Sequence, residues 1–111
     1  MCAVKPYLEH LNLTVTDVDA TVRFLRTAMP ELRVRGGGEG IKTLRWVHLG
    51  TESSYISIED RGTREKGPHI PYQHPGLNHI GFVVDDIDAL TERMREAGYR
   101  EGEHNLEHPY R

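Results

Sequence analysis

Of the seven histidines in this 111-residue chain, His10 and His79 hold the most promise for chemistry. Each lies in a short run of apolar and β-branched residues, EHLNLTV and NHIGFVV. A neutral imidazole is a good ligand for zinc, nickel, iron or manganese. A third histidine, His48, alternates with Leu44 and Trp46 and shares a strand face with them. In the run YISIED, placing Ile56 and Ile58 toward a helix sends Tyr55, Ser57 and Glu59 to the opposite face. Trp46, Tyr55 and Tyr72 are large enough to line a ligand cavity, although an aromatic in a small domain commonly fills the core. The remaining histidines carry less. His69 and His74 stand among prolines in a polar stretch, which predicts solvent exposure. His104 and His108 have the spacing of one helical face, but Gly102, Asn105 and Pro109 oppose a helix there. Cys2 is the only cysteine and sits at the N-terminus, and no serine occupies a nucleophile-elbow context. The run Gly36–Gly40 is predicted to turn between two strands, so it lacks the helix N-terminus that a phosphate cradle requires.

The elements that would position these groups come in two copies. Residues 8–29, LEHLNLTVTDVDATVRFLRTAM, align without a gap to residues 77–98, LNHIGFVVDDIDALTERMREAG. Eight positions are identical: Leu8/Leu77, His10/His79, Val15/Val84, Asp17/Asp86, Asp19/Asp88, Ala20/Ala89, Arg26/Arg95 and Ala28/Ala97. Shared amphipathic patterning explains apolar matches, but not a common histidine and Asp-x-Asp-Ala at one spacing. In each copy, residues 9–15 or 78–84 have strand composition. Asp17 and Asp86 then stand where a helix wants an N-cap, and Asp19 and Asp88 favour the positive end of its dipole. Val18, Val22, Leu25 and Met29 form a helical stripe in the first copy; Ile87, Leu90, Met94 and Ala97 form one in the second. Pro30 and Gly98 end the two helices. Further strands are predicted at 32–35, 43–49 and 55–60, with a turn at 50–54. The first module, about residues 7–60, therefore reads β-α-β-β-β. A linker follows over 61–76, and a shortened second module occupies 77–111.

Composition narrows the class. Hydrophobic residues at 37% and charged residues at 28% suit one soluble globular domain. A net charge of -3, with acids and bases interspersed, favours neither nucleic acid nor an anionic membrane as partner. No apolar run approaches the roughly 20 residues of a membrane-spanning helix. The N-terminal segment lacks the apolar core of a secretory signal, and a lone cysteine suits a reducing compartment, so a cytoplasmic location is expected.

The tandem units, with the strings EHLNLTVTDVDATVRFL, YISIED and LNHIGFVV, resemble the vicinal oxygen chelate superfamily over residues 8–98. Its members include glyoxalase I, extradiol dioxygenases, fosfomycin-resistance enzymes and bleomycin-resistance proteins. The resemblance implies an α+β fold of tandem βαβββ modules, each curling a mixed sheet into half of an open barrel around a cavity. Here the second module is expected to be incomplete at the C-terminus, since a full member would continue for two more strands. Truncation, or completion of the sheet by a second copy in a homodimer, would account for this; an open edge is otherwise an aggregation hazard.

The resemblance also implies a site. His10 and His79 match the family's two histidine ligands. The position of its usual glutamate is taken by Ser57, a poor ligand, while Glu59 follows two residues later on the same face. Near the strand end, Glu59 is expected to meet solvent. Two functions stay open. The first is a glyoxalase- or dioxygenase-like lyase, isomerase or dioxygenase acting on a small substrate with adjacent oxygens. In it, a divalent metal (Zn, Ni, Fe or Mn) is held by His10, His79 and Glu59, with Glu59 as ligand or general base. The second is a non-catalytic protein of the bleomycin-resistance type, needing no metal, that binds a drug- or antibiotic-like small molecule among Trp46, His48, Tyr55, Ser57 and the two histidines.

Overall fold

The computed structural model describes residues 5–40, 44–62, 67 and 69–102. Along the chain run β1 (His10–Thr14), α1 (Val18–Ala28), β2 (Arg33–Gly38), β3 (Arg45–Gly50), β4 (Tyr55–Asp60) and α2 (Ile87–Glu96). The strands form one mixed sheet in the order β1-β4-β3-β2. β1 runs parallel to β4, and the other two pairings are antiparallel. This is the α+β arrangement anticipated for the first module.

The helices begin as their residue types dictate. Asp17 Oδ1 accepts the Ala20 amide at 2.9 Å, and Asp86 Oδ1 accepts the Ala89 amide at 3.0 Å. Each cap satisfies one amide that the helix itself leaves unpaired. The second helix ends in a Schellman motif: Gly98 takes φ +90°, its amide reaches Arg95 O, and the Tyr99 amide reaches Met94 O.

Strand alternation divides the sheet into two chemically different faces. One carries Val47, Leu49, Ile56 and Ile58, which are buried with Val18 of α1; Leu11, Leu13, Val22, Leu25 and Leu32 close around them. This is the core, and burying these aliphatic side chains is its main stabilising contribution. The other face carries His10, Asn12, Trp46, His48, Tyr55, Ser57 and Glu59.

Two expectations about elements are corrected. Gly36–Gly38 do not turn: they extend β2, with Gly36 opposite His48 and Gly38 opposite Trp46. Gly37 is the position that needs glycine, since a Cβ there would meet Trp46 O at 2.9 Å. A Cβ added at Gly36 or Gly38 would meet the indole ring at 3.9 and 3.5 Å, so the bare backbone lies directly beside Trp46. Residues 78–84 are not a strand, because they hydrogen-bond to no sheet neighbour among the described residues. An isolated extended segment leaves its backbone groups to solvent, whatever its composition.

The second helix packs on the first without burying a residue fully, and Ile87 of its apolar stripe is exposed. Its firmest link is Arg93. The guanidinium donates to Thr27 O at 3.2 Å and Ala28 O at 2.8 Å, occupying carbonyls at the C-terminus of α1. Phe24 and Tyr99 add an edge-to-face contact with centroids 4.9 Å apart. Among the described residues, no helix is long and apolar enough to cross a membrane.

Candidate functional site

The polar face is built by register. β1 and β4 align His10 with Tyr55, Asn12 with Ser57 and Thr14 with Glu59. β3 and β4 align Trp46 with Glu59, His48 with Ser57 and Gly50 with Tyr55. Side chains of like parity are thereby brought side by side across three strands.

The outcome is a continuous row of rings. His10 stacks on Tyr55 at 4.8 Å with planes 4° apart. Tyr55 stacks on His48 at 4.6 Å and 30°, and His48 meets Trp46 at 4.9 Å and 57°. The guanidinium of Arg35 lies 4.4 Å from the Tyr55 centroid, within cation–π range. Trp46, His48, Tyr55 and Ser57, expected to share a cavity, therefore do share one surface. Tyr72 stands elsewhere, three-quarters exposed.

The polar groups on this face are largely engaged with one another. Asn12 Nδ2 donates to Ser57 Oγ at 3.0 Å. The Glu59 carboxylate accepts from Arg61 Nε at 2.8 Å. Glu59 is 8% exposed, so the expectation that it faces water is corrected; the ion pair satisfies the charge where strands flank it. At the rim, His10 Nδ1 donates to Glu9 Oε1 at 2.9 Å, while the Glu9 carbonyl accepts the Tyr55 amide.

His79 belongs to a different cluster. Its Nδ1 shares a hydrogen bond of 2.8 Å with the Tyr72 hydroxyl, in a turn also held by His69 Nε2 to Leu77 O and by the Ile70 amide to His74 Nδ1. His69 and His74 are exposed, as expected, yet each has a backbone partner. The neighbours of His79, Ile80–Phe82, reach toward the sheet and with His10, Tyr55 and Leu49 line a cleft of about 190 Å³. Among the described residues, no three His, Cys, Asp or Glu side chains gather as a metal-holding group. His104, His108 and Cys2 lie outside the described residues.

Sequence reasoning missed Glu9, Asn12 and Arg35. Asn12 was within reach, since it lies two residues after His10 on one strand and so shares its face. Arg35 was not, because its position depends on an irregular pairing.

Comparison with known proteins supports the architecture. No curated protein matches the chain. The family model of the glyoxalase/bleomycin resistance protein/dioxygenase superfamily matches residues 9–108, spanning both copies of the repeat. The chain belongs to the glyoxalase/bleomycin resistance protein/dioxygenase superfamily.

Proposed function

We propose that this protein binds a small, flat, unsaturated molecule on the polar face of its sheet, as a non-catalytic binding member of the superfamily. The supporting observation is the ring row His10–Tyr55–His48–Trp46. A flat ligand laid against the edges of such a row needs little rearrangement of the protein, because strand register already holds the rings. Ser57 at the expected carboxylate position also favours binding over metal chemistry, its hydroxyl being taken up by Asn12. Trp46 is the only tryptophan, so its fluorescence reports on this face alone. A panel of planar heterocyclic and aromatic compounds should include members that quench Trp46 saturably, and Tyr55→Ala should weaken them. Failure of every member to perturb Trp46 would sink the reading.

A second reading retains a divalent metal, with His10, His79 and Glu59 as ligands and Glu59 as ligand or base. The His10–Glu9 contact favours it, since a carboxylate on Nδ1 leaves Nε2 as the ligating nitrogen of a neutral ring. Against it, Glu59 is bound to Arg61 and His79 to Tyr72, so the three donors do not fit a metal as placed. Metal analysis of protein purified without a histidine tag separates the readings. Near-stoichiometric metal, lost in His10→Ala or His79→Ala, would replace the first reading with this one. Association of two copies through segment 78–84, which pairs with no strand among the described residues, is part of the proposal, and light scattering showing a monomer would remove it.

A further inference from the structure

The cation over the ring row is placed by an irregularity in the sheet. β2 and β3 pair regularly at Arg33↔Gly50 and Val34↔Leu49, but the next pair is Gly36↔His48. Arg35 is therefore the extra residue of a β-bulge, a feature that re-aims a side chain. Its guanidinium reaches across to the ring of Tyr55, two strands away in the sheet order.

A guanidinium whose carbon lies over a ring still carries N–H donors at its edge that the ring does not occupy. That edge is a fork matched to a carboxylate, which it binds through two parallel hydrogen bonds. Two acids beside the ring row have other partners: Glu59 pairs with Arg61, and Glu9 with His10. Beyond Arg35, Gly36 and Gly38 place no side chain on this face, and the Trp46 indole lies beside their backbone.

We infer that the ligand of this face is a planar aromatic carboxylate. Its ring lies across the edges of Tyr55, His48 and Trp46, whose faces are turned to one another, and its carboxylate meets the edge of Arg35. Arg35 is the specificity-determining residue. This rests on the small-molecule reading given above and adds the sign of the ligand's charge.

Isothermal titration of the full chain with 2-naphthoate and with its neutral isostere 2-naphthamide tests the assignment. A charge-assisted bidentate contact should make the carboxylate bind about 10-fold to 100-fold more tightly than the amide. Arg35→Gln should cost the carboxylate at least 10-fold more affinity than it costs naphthamide, so that the preference disappears. Arg35→Lys, which keeps the charge without the fork, should retain only part of it. Because Arg35 is exposed, unchanged circular dichroism is expected for both variants. Equal binding of the two compounds to the native protein, or a carboxylate preference that survives in Arg35→Gln, overturns the inference and leaves the binding face standing. If neither compound binds, the inference falls, and the reading beneath it falls with it only when no other member of the planar panel perturbs Trp46.

Discussion

His10 and His79 occupy the same place in two copies of one sequence unit, yet their surroundings share almost nothing. His10 lies on a strand paired along its length with β4, stacks on Tyr55, and has neighbours fixed by register. His79 lies in a segment that joins no sheet among the described residues, and its partner Tyr72 comes from the adjoining turn. The helices that follow are capped by the same aspartate geometry, but α1 buries Val18 and Ala28 while α2 buries nothing fully. Local signals thus act equally in both copies, and among the described residues only the first closes on a sheet. What turns a histidine-bearing strand into part of a site is the set of strands beside it.

The largest expected effect lies where the copies differ most. Ile58 is fully buried between the sheet and α1, whereas Val83 is fully exposed. Ile58→Ala should cost about 2–5 kcal/mol in urea denaturation, from lost transfer energy and the cavity left behind. Val83→Ala should shift the midpoint by no measurable amount. A substantial loss at Val83 would mean that segment 78–84 is covered in solution, which would narrow the contrast between the copies.

The next effect concerns the joint between them. Arg93 of α2 is half-buried against α1 and donates to two of its terminal carbonyls. Arg93→Met keeps much of the stem's packing but removes both charged hydrogen bonds, so a loss of about 1.5–3 kcal/mol is expected. If the two copies unfold independently, hydrogen exchange would show the loss confined to α2. A loss spread over α1 as well would show that they unfold as one unit.

Much of the scaffold was legible in the residues themselves. β4 spans Tyr55–Asp60 as its alternation predicts, and both helices start after the expected aspartates. These features depend on local periodicity and capping. The misreadings share a different cause. Gly36–Gly38 look like a turn until Trp46 is seen lying across them, and NHIGFVV looks like a strand until its partner is sought. Glu59 looks exposed near a strand end until Arg61 turns back to pair with it. The ring row was readable as membership of a face, but its stacking order required the registers of three strands. Arg35 required a bulge, which shifts parity by one residue and cannot be located from alternation.

The smallest effect tests the feature the two copies share most closely. Asp17 and Asp86 accept amides three residues ahead at nearly identical distances, 2.9 and 3.0 Å. Replacing either by Ala removes the acceptor for one amide and a negative charge beside the helix dipole, worth about 1 kcal/mol. In Asp17→Ala that loss should appear in full as reduced global stability, because α1 covers the core and cannot fray without exposing Val18. In Asp86→Ala the helix can fray locally, so amides at the start of α2 should exchange faster while the global midpoint moves less. Equal drops in global stability would show that α2 is as tightly coupled to the fold as α1. The copies would then differ in their strands alone.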